Sequence, residues 1–376
     1  MTTISLCMIV KNEEKTIGRC LSSCRSIVDE IIIVDTGSTD KTKDIAAKYT
    51  DRIYDFVWCD DFSAARNYAY DKATKDYILW LDADDIFLVE DMKKILDLKE
   101  RLPDDVDTVM LKYNTGFDQF GNVTFSYYRE RLTRRSCGFR WHEPVHEYLE
   151  TGGKLICLDA AVTHAKPADI ERAEPSKRNL RIYESLLKQG KELTARGLYY
   201  YARELKDHKR YNDALNYFDK FLNSGKGWGE DCISACREMA HCHLALGDLD
   251  KVLGDLFRSF LYDIPRSETC CLIGYYYMDR QDYVKAISWF EVAVTVKQPE
   301  NSWGFSQPDC RGFVPYIECA VCYDRLGNID KAIEYNELAA LFKPESYKVV
   351  FNRRYFQQLK DAASLVKPKG QEDPTM

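Results

Sequence analysis

The sequence has no apolar run that approaches the roughly 20 residues needed to cross a bilayer. Its N-terminus lacks a basic region, and the short apolar run there meets Lys11, Glu13 and Glu14 rather than a cleavage site of small residues. We therefore expect neither a transmembrane segment nor a signal peptide, and we predict a cytoplasmic protein.

The chain also lacks a stripe rich in lysine and arginine. Its 376 residues include 53 basic and 60 acidic side chains, for a formal net charge of −7. Because nucleic-acid binding needs clustered positive charge opposite the phosphates, nucleic acid is not expected as a partner. The 14 cysteines make up only about 4% of this long chain and are scattered through apolar runs, so we interpret them as reduced core residues rather than a disulfide scaffold.

No GxGxxG motif follows the first predicted strand, which argues against a dinucleotide-dependent oxidoreductase. The first hundred or so residues instead alternate apolar, β-rich runs with helical segments. The runs at 4–10, 30–35, 52–57 and 77–82 predict buried strands, and the stretches between them predict helices. This alternation predicts an α/β domain with a largely parallel sheet.

From about residue 176 the strand signals disappear and a helical repeat begins. The segments KRYNDALNYF, GDLDKVLGDL, QDYVKAISWF and GNIDKAIEYN each place an apolar residue three positions before a small one. A repeated helix-turn-helix unit of about 34 residues is typical of tetratricopeptide proteins. We therefore predict an α/β domain over residues 1–175 and an all-α, tetratricopeptide-like repeat domain over 176–376, with a generic helical bundle as the alternative.

The most informative polar motif is Asp82-Ala83-Asp84-Asp85, at the end of the strand YILWL. In an open parallel sheet, ligands bind at the carboxyl ends of the strands. Crowded carboxylates repel one another unless a cation neutralises them. Mg²⁺ and Mn²⁺ suit such oxygen ligands together with phosphate oxygens. A metal site is therefore predicted here, and an acidic turn that caps the next helix is the alternative.

Polar side chains follow two other predicted strands at the same edge. Asp35 ends the second strand, while Asn12, Glu13 and Glu14 follow the first. A carboxylate at this edge can accept the N3 hydrogen of uracil, and Arg66 and Asn67 can bind the base or the phosphates from the intervening helix. These side chains predict a nucleotide site.

The segments VKNEE, IIIVDTGSTDKT, FSAARNYA and YILWLDADD together resemble the nucleotide-sugar half of family two glycosyltransferases, which have the GT-A fold. The resemblance puts the acidic motif in the family's DXD position. It implies Asp35 on uracil, Asp82 near the ribose and Asp84 on a metal that bridges the diphosphate of a UDP-sugar. Members with a helical-repeat C-terminus include SunS-like peptide S-glycosyltransferases, which implies a peptide or protein acceptor.

Residues His142 to His146 match the zincin expression HExxH, but Pro144 would break the helix which that motif requires. The flanking residues predict short strands and turns, and we interpret the segment as the acceptor-side wall of a transferase. Glu143 and Glu147 are the candidates for the general base of an inverting transfer. Glu143 is preferred, since aromatic and apolar neighbours raise the pKa of a carboxyl group toward useful values.

His164 follows a later apolar run and is predicted as a further metal ligand, because some GT-A enzymes complete the metal shell with a late histidine. His146 is the rival for that role. GT-A members are usually longer than the first 175 residues, so helices between about 175 and 205 are expected to complete the acceptor cleft.

The sequence thus predicts a glycosyltransferase that uses Mn²⁺ or Mg²⁺ and moves a hexose from a UDP-sugar to a peptide or protein held by the repeats. Two alternatives stay open. One is a repeat scaffold whose GT-A domain binds nucleotide without turnover, and the other is a transferase acting on glycan or lipid acceptors. The sugar, the acceptor group and the oligomeric state are not encoded in any motif.

Overall fold

The computed structural model describes residues 2–165, 177–297 and 304–365. The predicted domain boundary between 175 and 176 lies outside the described residues. By their contacts the described residues form two compact units, and the division falls after Asp248. The first unit also includes residues 304–306.

The first unit begins with the predicted alternation of strands and helices. Its first elements are β1 (Ile4–Val10), α1 (Ile17–Cys24), β2 (Glu30–Asp35), α2 (Thr42–Ala46), β3 (Ile53–Asp55), α3 (Phe62–Tyr70) and β4 (Tyr77–Trp80). The next are β5 (Asp85–Ile86), α4 (Val89–Arg101), β6 (Thr108–Phe117), β7 (Val123–Arg134), β8 (Arg140–His142), β9 (Tyr148–Glu150) and β10 (Leu155–His164).

Eight of these strands form one sheet in the order β3-β2-β1-β4-β7-β6-β10-β5. Strand β1 pairs in parallel with β2 and β4, and β2 pairs in parallel with β3. Strand β7 is antiparallel to both β4 and β6, so the sheet is mixed rather than largely parallel. The physical reason is the short 118–122 connection between β6 and β7, which allows only an antiparallel pair.

Both faces of β1 are buried, which explains its unbroken apolar sequence. Leu6 and Met8 lie in a core with Leu21 of α1 and Ile95 of α4. Cys7 lies in a second core. Because helices cover both faces, the open positions for a ligand are at the carboxyl ends of β1, β2 and β4.

Four helices complete the first unit. They are α5 (Lys177–Lys188), α6 (Ala195–Asp207), α7 (Tyr211–Asn223) and α8 (Gly229–Leu246). Helix α6 packs on α7 through Tyr199, whose ring centroid lies 5.3 Å from that of Phe221 and 6.2 Å from that of Phe218. Thr194 caps α6 by accepting a hydrogen bond from the Gly197 amide.

The second unit consists of helices, as the repeat predicts. They are α9 (Leu249–Arg258), α10 (Ser267–Asp279), α11 (Tyr283–Thr295), α12 (Phe313–Arg325), α13 (Ile329–Ala340) and α14 (Tyr347–Leu365). The small residues Ala286 and Ala332 are fully buried where neighbouring helices meet. At Gly274 an added Cβ would lie 2.7 Å from the Phe290 ring, so only glycine permits this close packing of α10 on α11. The tetratricopeptide-like fold class is confirmed.

Within the described ranges, none of the helices combines the length and the apolar character that crossing a bilayer would require.

Candidate functional site

Two neighbouring cavities lie in the first unit. The smaller, here called the edge cavity, has a volume of about 560 Å³ and is lined by residues that follow β1, β2 and β4, among them Lys11, Thr36 and Asp84. The larger, here called the large cavity, has a volume of about 1060 Å³ and is lined by residues of β7, α6 and α8. Both cavities are lined by Arg66, Asp82, His146, Glu147 and His164.

The acidic motif and the late histidine meet at the edge cavity. His164 Nδ1 lies 3.4 Å from Asp84 Oδ1 and 3.7 Å from Asp85 Oδ1. Asp84, Asp85 and His164 could together hold a metal ion. In the part of the chain that the structure describes, they are the one group of three or more His, Cys, Asp or Glu side chains close enough to do so. Asp85 Oδ1 is buried and has no hydrogen-bond partner among the described residues, so the donor set fits a divalent cation.

The same ring nitrogen of His164, Nδ1, also lies 3.0 Å from the Tyr113 hydroxyl. Burial lowers the pKa of His164, but the nearby carboxylates of Asp84 and Asp85 outweigh it and raise the pKa to about 10. A bound cation would compete with this proton for the same carboxylates.

Arg66 lies at the wall shared by the two cavities and links two acidic side chains. Its Nη2 donates to Asp82 Oδ1 at 2.7 Å, and its Nε donates to Glu147 Oε1 at 2.6 Å. The guanidinium also lies against the rings of Trp80 and Trp141, at 5.0 and 4.7 Å from their centroids. Burial raises the pKa of Asp82, but Arg66 and further arginines outweigh it and lower the pKa to about 2. Asp82 is therefore an anion at any physiological pH.

Asp35 is buried at the end of β2. Its Oδ1 accepts hydrogen bonds from the amides of Gly37 and Ser38, at 2.9 and 2.8 Å. Its Oδ2 is buried and has no hydrogen-bond partner among the described residues. Asp35 itself lines neither cavity, but the next residue, Thr36, lines the edge cavity. One carboxylate oxygen is thus held by the protein, while the other still lacks a donor.

Asn12 and Glu14 do not line the edge cavity, although a nucleotide-binding role was predicted for both. Asn12 adopts a left-handed backbone conformation (φ 56°), and its Oδ1 accepts from the Thr39 amide at 2.8 Å. Glu14 Oε2 accepts from the Lys41 amide at 3.1 Å. These side chains hold the loop after β2 in place. Between them, Glu13 does line the cavity, and its pKa is raised by burial and by the nearby Asp84 and Asp82.

Asn67 corrects another expectation, because its side chain is taken up by the protein. Its Nδ2 donates to the Trp141 carbonyl and its Oδ1 accepts from the Trp141 amide, both at 2.9 Å. Asn67 lines neither cavity and joins α3 to β8.

The HExxH segment is a hairpin of β8 and β9, not a helix, as its proline predicts. Glu143, the preferred base, lies in the turn with a positive φ of 72° and accepts a hydrogen bond from Thr194 Oγ1. It lines neither cavity, whereas Glu147 lines both. The turn directs the two glutamates to different partners, so the geometry favours Glu147 as the base.

His146, the rival metal ligand, lies outside the group formed by Asp84, Asp85 and His164. Its Nε2 is 2.8 Å from Glu204 Oε1, and its ring stacks on Tyr200 with 4.4 Å between centroids. These contacts occupy the imidazole with α6, although the residue still lines both cavities.

Comparison with known proteins gives a family match for the N-terminal part of the chain. Residues 5–151 match the family model described as Glycosyl transferase family 2. The N-terminal part of the chain is a glycosyl transferase family 2 domain. The match includes β1 to β9, and so covers Asp35, Asp82, Asp84 and Glu147 but ends before His164.

Several curated proteins resemble the family 2 domain. A TPR repeat-containing protein of Synechococcus elongatus is 40% identical over 153 residues, which cover 40% of this chain and 36% of that protein. The SPbeta prophage-derived glycosyltransferase SunS of Bacillus subtilis is 29% identical over 237 residues, covering 61% of this chain and 55% of SunS. An uncharacterized glycosyltransferase of Rickettsia felis is 28% identical over 221 residues, which cover 52% of this chain and 74% of that protein. The chain thus spans about half or less of the length of the first two of these proteins.

Among solved structures, a tetratricopeptide repeat protein from Parabacteroides merdae covers 50% of this chain and 69% of its own, at 17% identity and a TM-score of 0.38. A score at this level does not establish a common fold. The assignment of helical repeats follows from the helices of the second unit themselves.

Sequence reasoning missed most of the residues that line the large cavity away from the wall that it shares with the edge cavity. Its lining includes Tyr127, Arg129, Tyr200, Arg203, Asp231 and Phe305. Burial raises the pKa of Asp231 to about 6. The run SYYRERLTRR in β7 carried one available signal, since arginines and tyrosines alternating within a strand are unusual for a simple core. The residues of α6 and α8 gave no such signal in the sequence, because aromatic and charged residues occur in any repeat helix.

Another missed feature is the ion pair between Arg131 and Asp85. Both side chains are fully buried, with 3.0 Å between Arg131 Nη1 and Asp85 Oδ2. Arg131 lies between the rings of Trp80 and Tyr113, 3.8 and 4.4 Å from their centroids. It fixes one oxygen of Asp85 and so turns the other toward His164.

Proposed function

We propose that this protein is a metal-dependent inverting glycosyltransferase that moves a sugar from a UDP-sugar to a peptide or protein acceptor. The observation that carries the proposal is the wall shared by the two cavities, where Arg66, Asp82 and Glu147 lie beside His164. A transferase needs a donor site and an acceptor site that meet at the reacting atoms, and two adjoining cavities with common charged residues supply that arrangement.

The edge cavity is the proposed donor site. Asp35 Oδ2, buried and without a hydrogen-bond partner among the described residues, would accept the N3 hydrogen of uracil. Asp82, held as an anion by Arg66, would bind the ribose hydroxyls. Asp84, Asp85 and His164 would hold Mn²⁺ or Mg²⁺. When bound, the cation supplies positive charge that stabilises the leaving diphosphate.

The large cavity is the proposed acceptor site, and Glu147 is the proposed general base. Glu147, which directly follows the HExxH segment, lines both cavities, so an acceptor group reaching the shared wall meets its carboxylate. Arg66 holds Glu147 in place through Nε, which orients the carboxylate before the acceptor arrives. One base that takes the acceptor proton suits a single in-line displacement, which inverts the anomeric carbon.

A peptide or protein acceptor is supported by the size of the large cavity and by the helical repeats of the second unit, an architecture that often binds polypeptides. The similarity to SunS supports transfer of a sugar but does not fix the donor. The cytoplasmic location remains a prediction.

A donor screen tests this proposal directly. The full-length protein is incubated with individual UDP-sugars and Mn²⁺, and release of UDP is followed with and without a pool of peptides as acceptors. We expect metal-dependent hydrolysis of at least one donor and added sugar mass on peptides. Tight binding of UDP and Mn²⁺ without turnover of any donor would instead favour a nucleotide-binding scaffold.

A further inference from the structure

Four arginines line the large cavity, and three of them form ion pairs with carboxylates. Arg66 pairs with Asp82 and Glu147. Arg129 lies 3.2 Å from Glu130, and Arg196 lies 4.0 Å from Asp231. The fourth, Arg203 of α6, has neither an ion pair nor a side-chain hydrogen bond among the described residues.

Arg203 is held by aromatic rings instead of by acids. Its Cζ lies 5.1 Å from the ring centroid of Phe305, 5.4 Å from that of Tyr200 and 5.6 Å from that of Tyr199. Contacts with ring faces fix the position of a guanidinium without using its N–H groups. Arg203 is therefore a positioned cation whose hydrogen-bond donors are still available inside a cavity.

Phe305, one of the rings that contact Arg203, is held in place by backbone hydrogen bonds of the next residue, Ser306. Ser126 of β7 and Ser306 exchange two backbone hydrogen bonds, at 3.0 and 2.9 Å. This bridge places Phe305 in a stacked contact with Phe125, with 5.5 Å between their centroids. Arg203 and Phe305 thus form a wall that the fold builds from α6, β7 and the 304–306 segment.

We propose that Arg203 binds a carboxylate of the acceptor and so makes the large cavity selective for acidic acceptors. The inference rests on the proposed function, since it assigns the acceptor class to the proposed acceptor site. A guanidinium presents a planar fork of donors that matches a carboxylate or a phosphate, and such charged hydrogen bonds are the strong ones.

The neighbouring acids favour a carboxylate over a phosphate. Glu230 and Asp231 line the same cavity and would repel a dianion more strongly than a monoanion. Asp231 is partly balanced by both Arg196 and Arg203, but among the described residues Arg203 has no carboxylate at ion-pair distance.

Binding of short fluorescent peptides to the full-length protein, saturated with UDP and Mn²⁺, tests the proposal. The peptides contain one acceptor cysteine or serine and differ only in a single flanking residue: Glu, Gln, Lys or phosphoserine, placed at each position in turn. We expect the wild-type protein to bind the Glu peptide about tenfold or more tightly than the Gln peptide at one position. Arg203→Gln should remove this preference, and Arg203→Glu should shift it to the Lys peptide.

Arg280→Gln is the matched control, since Arg280 also lies over an aromatic ring, that of Tyr276, but does not line the cavity. It should keep the preference. If Arg203→Gln does not fold, Arg203→Lys keeps the charge and loses the planar fork, and it should weaken the preference. Equal binding of Glu and Gln peptides at every position by the wild-type protein would overturn the proposal, and tighter binding of phosphoserine would overturn the choice of a carboxylate. Hydrolysis of UDP-sugars by the wild-type protein tests the proposed function separately, because it needs no peptide.

Discussion

Arg66 and Glu147 form a hydrogen-bonded ion pair across 81 positions of sequence, with 2.6 Å between Nε and Oε1. The same guanidinium donates to Asp82. One side chain of α3 therefore sets the positions of the two acids on which the proposed donor and acceptor sites converge.

Replacing Arg66 with Ala should destabilise the fold and abolish transfer. The substitution leaves Glu147, whose side chain is 13% exposed, without its cation, and Asp82 at 37% exposure loses the same partner. Removing one member of a buried pair costs about 3–5 kcal/mol, and the partial exposure of Asp82 puts the expected loss at about 2–4 kcal/mol. Urea unfolding measures it. A loss of less than about 1 kcal/mol in the free energy of unfolding would contradict the proposed role of Arg66 in holding both acids.

Asp84→Ala should remove metal-dependent binding of UDP without unfolding the protein. We expect calorimetry with UDP to show a Mn²⁺-dependent heat for the wild-type protein and none for the variant, because a carboxylate ligand is lost. Glu90→Ala is the control, since Glu90 is 77% exposed on α4 and lines neither cavity. An Asp84→Ala protein that binds UDP and Mn²⁺ like the wild type would refute the metal site.

The two glutamates of the hairpin should differ in their effects on transfer. Glu147→Gln should lower the rate about 10²–10⁴-fold while donor binding persists, because the proposed base is gone. Glu143→Gln should change the rate little and cost about 0.5–2 kcal/mol of stability, because Glu143 bonds Thr194 at the start of α6. Single-turnover transfer assays with both variants separate the two roles. A slower Glu143→Gln would restore the sequence-based choice.

The stability of the metal-free protein should fall in alkaline solution because of His164. Its pKa is raised to about 10 in the folded protein, from about 6.5 unfolded, so its protonation stabilises the fold. That contribution is complete below about pH 6.5 and disappears as the pH rises through about 10. Urea unfolding of the wild type and of His164→Gln should show the difference between them shrinking over this range. The control, His142→Gln, removes a histidine that is 45% exposed and should leave the pH dependence unchanged.

Truncation should test whether the first unit needs α7 and α8 in order to fold. A chain ending at residue 248 should fold, whereas a chain ending at residue 206 should not, because it exposes Tyr199 by removing Phe218 and Phe221 of α7. Thermal unfolding followed by circular dichroism should show a cooperative transition only for the longer chain. A cooperative transition in both would place the folding boundary before α7.

Much of the fold was accessible to sequence reasoning because its signals are local. The unbroken apolar runs of β1 and β2 and the small residues Ala286 and Ala332 lie where their patterns place them. The mixed sheet was not accessible from the early alternation, since β7 inserts between β4 and β6 through a hairpin further along the chain.

The site was accessible in part, for a similar reason. Carboxyl ends of parallel strands share one edge, so the positions of Asp35 and Asp84 followed from strand order alone. Asn12 and Asn67 carry amides that could bind a nucleotide, and both lie near the edge of the sheet where the acids gather. Their amides nevertheless bind the protein's own backbone. No local pattern distinguishes an amide that binds a ligand from one that fastens a loop.

The sequence by itself determined the strands, the repeat and the edge at which the acids gather, because periodicity and strand direction are properties of adjacent residues. Only the tertiary structure gave Glu143 and Glu147 their different partners. The first meets Thr194, 51 positions away, and the second meets Arg66, 81 positions away. Which partner a side chain reaches depends on how distant segments pack, and that packing also left Arg203 among aromatic rings inside the large cavity.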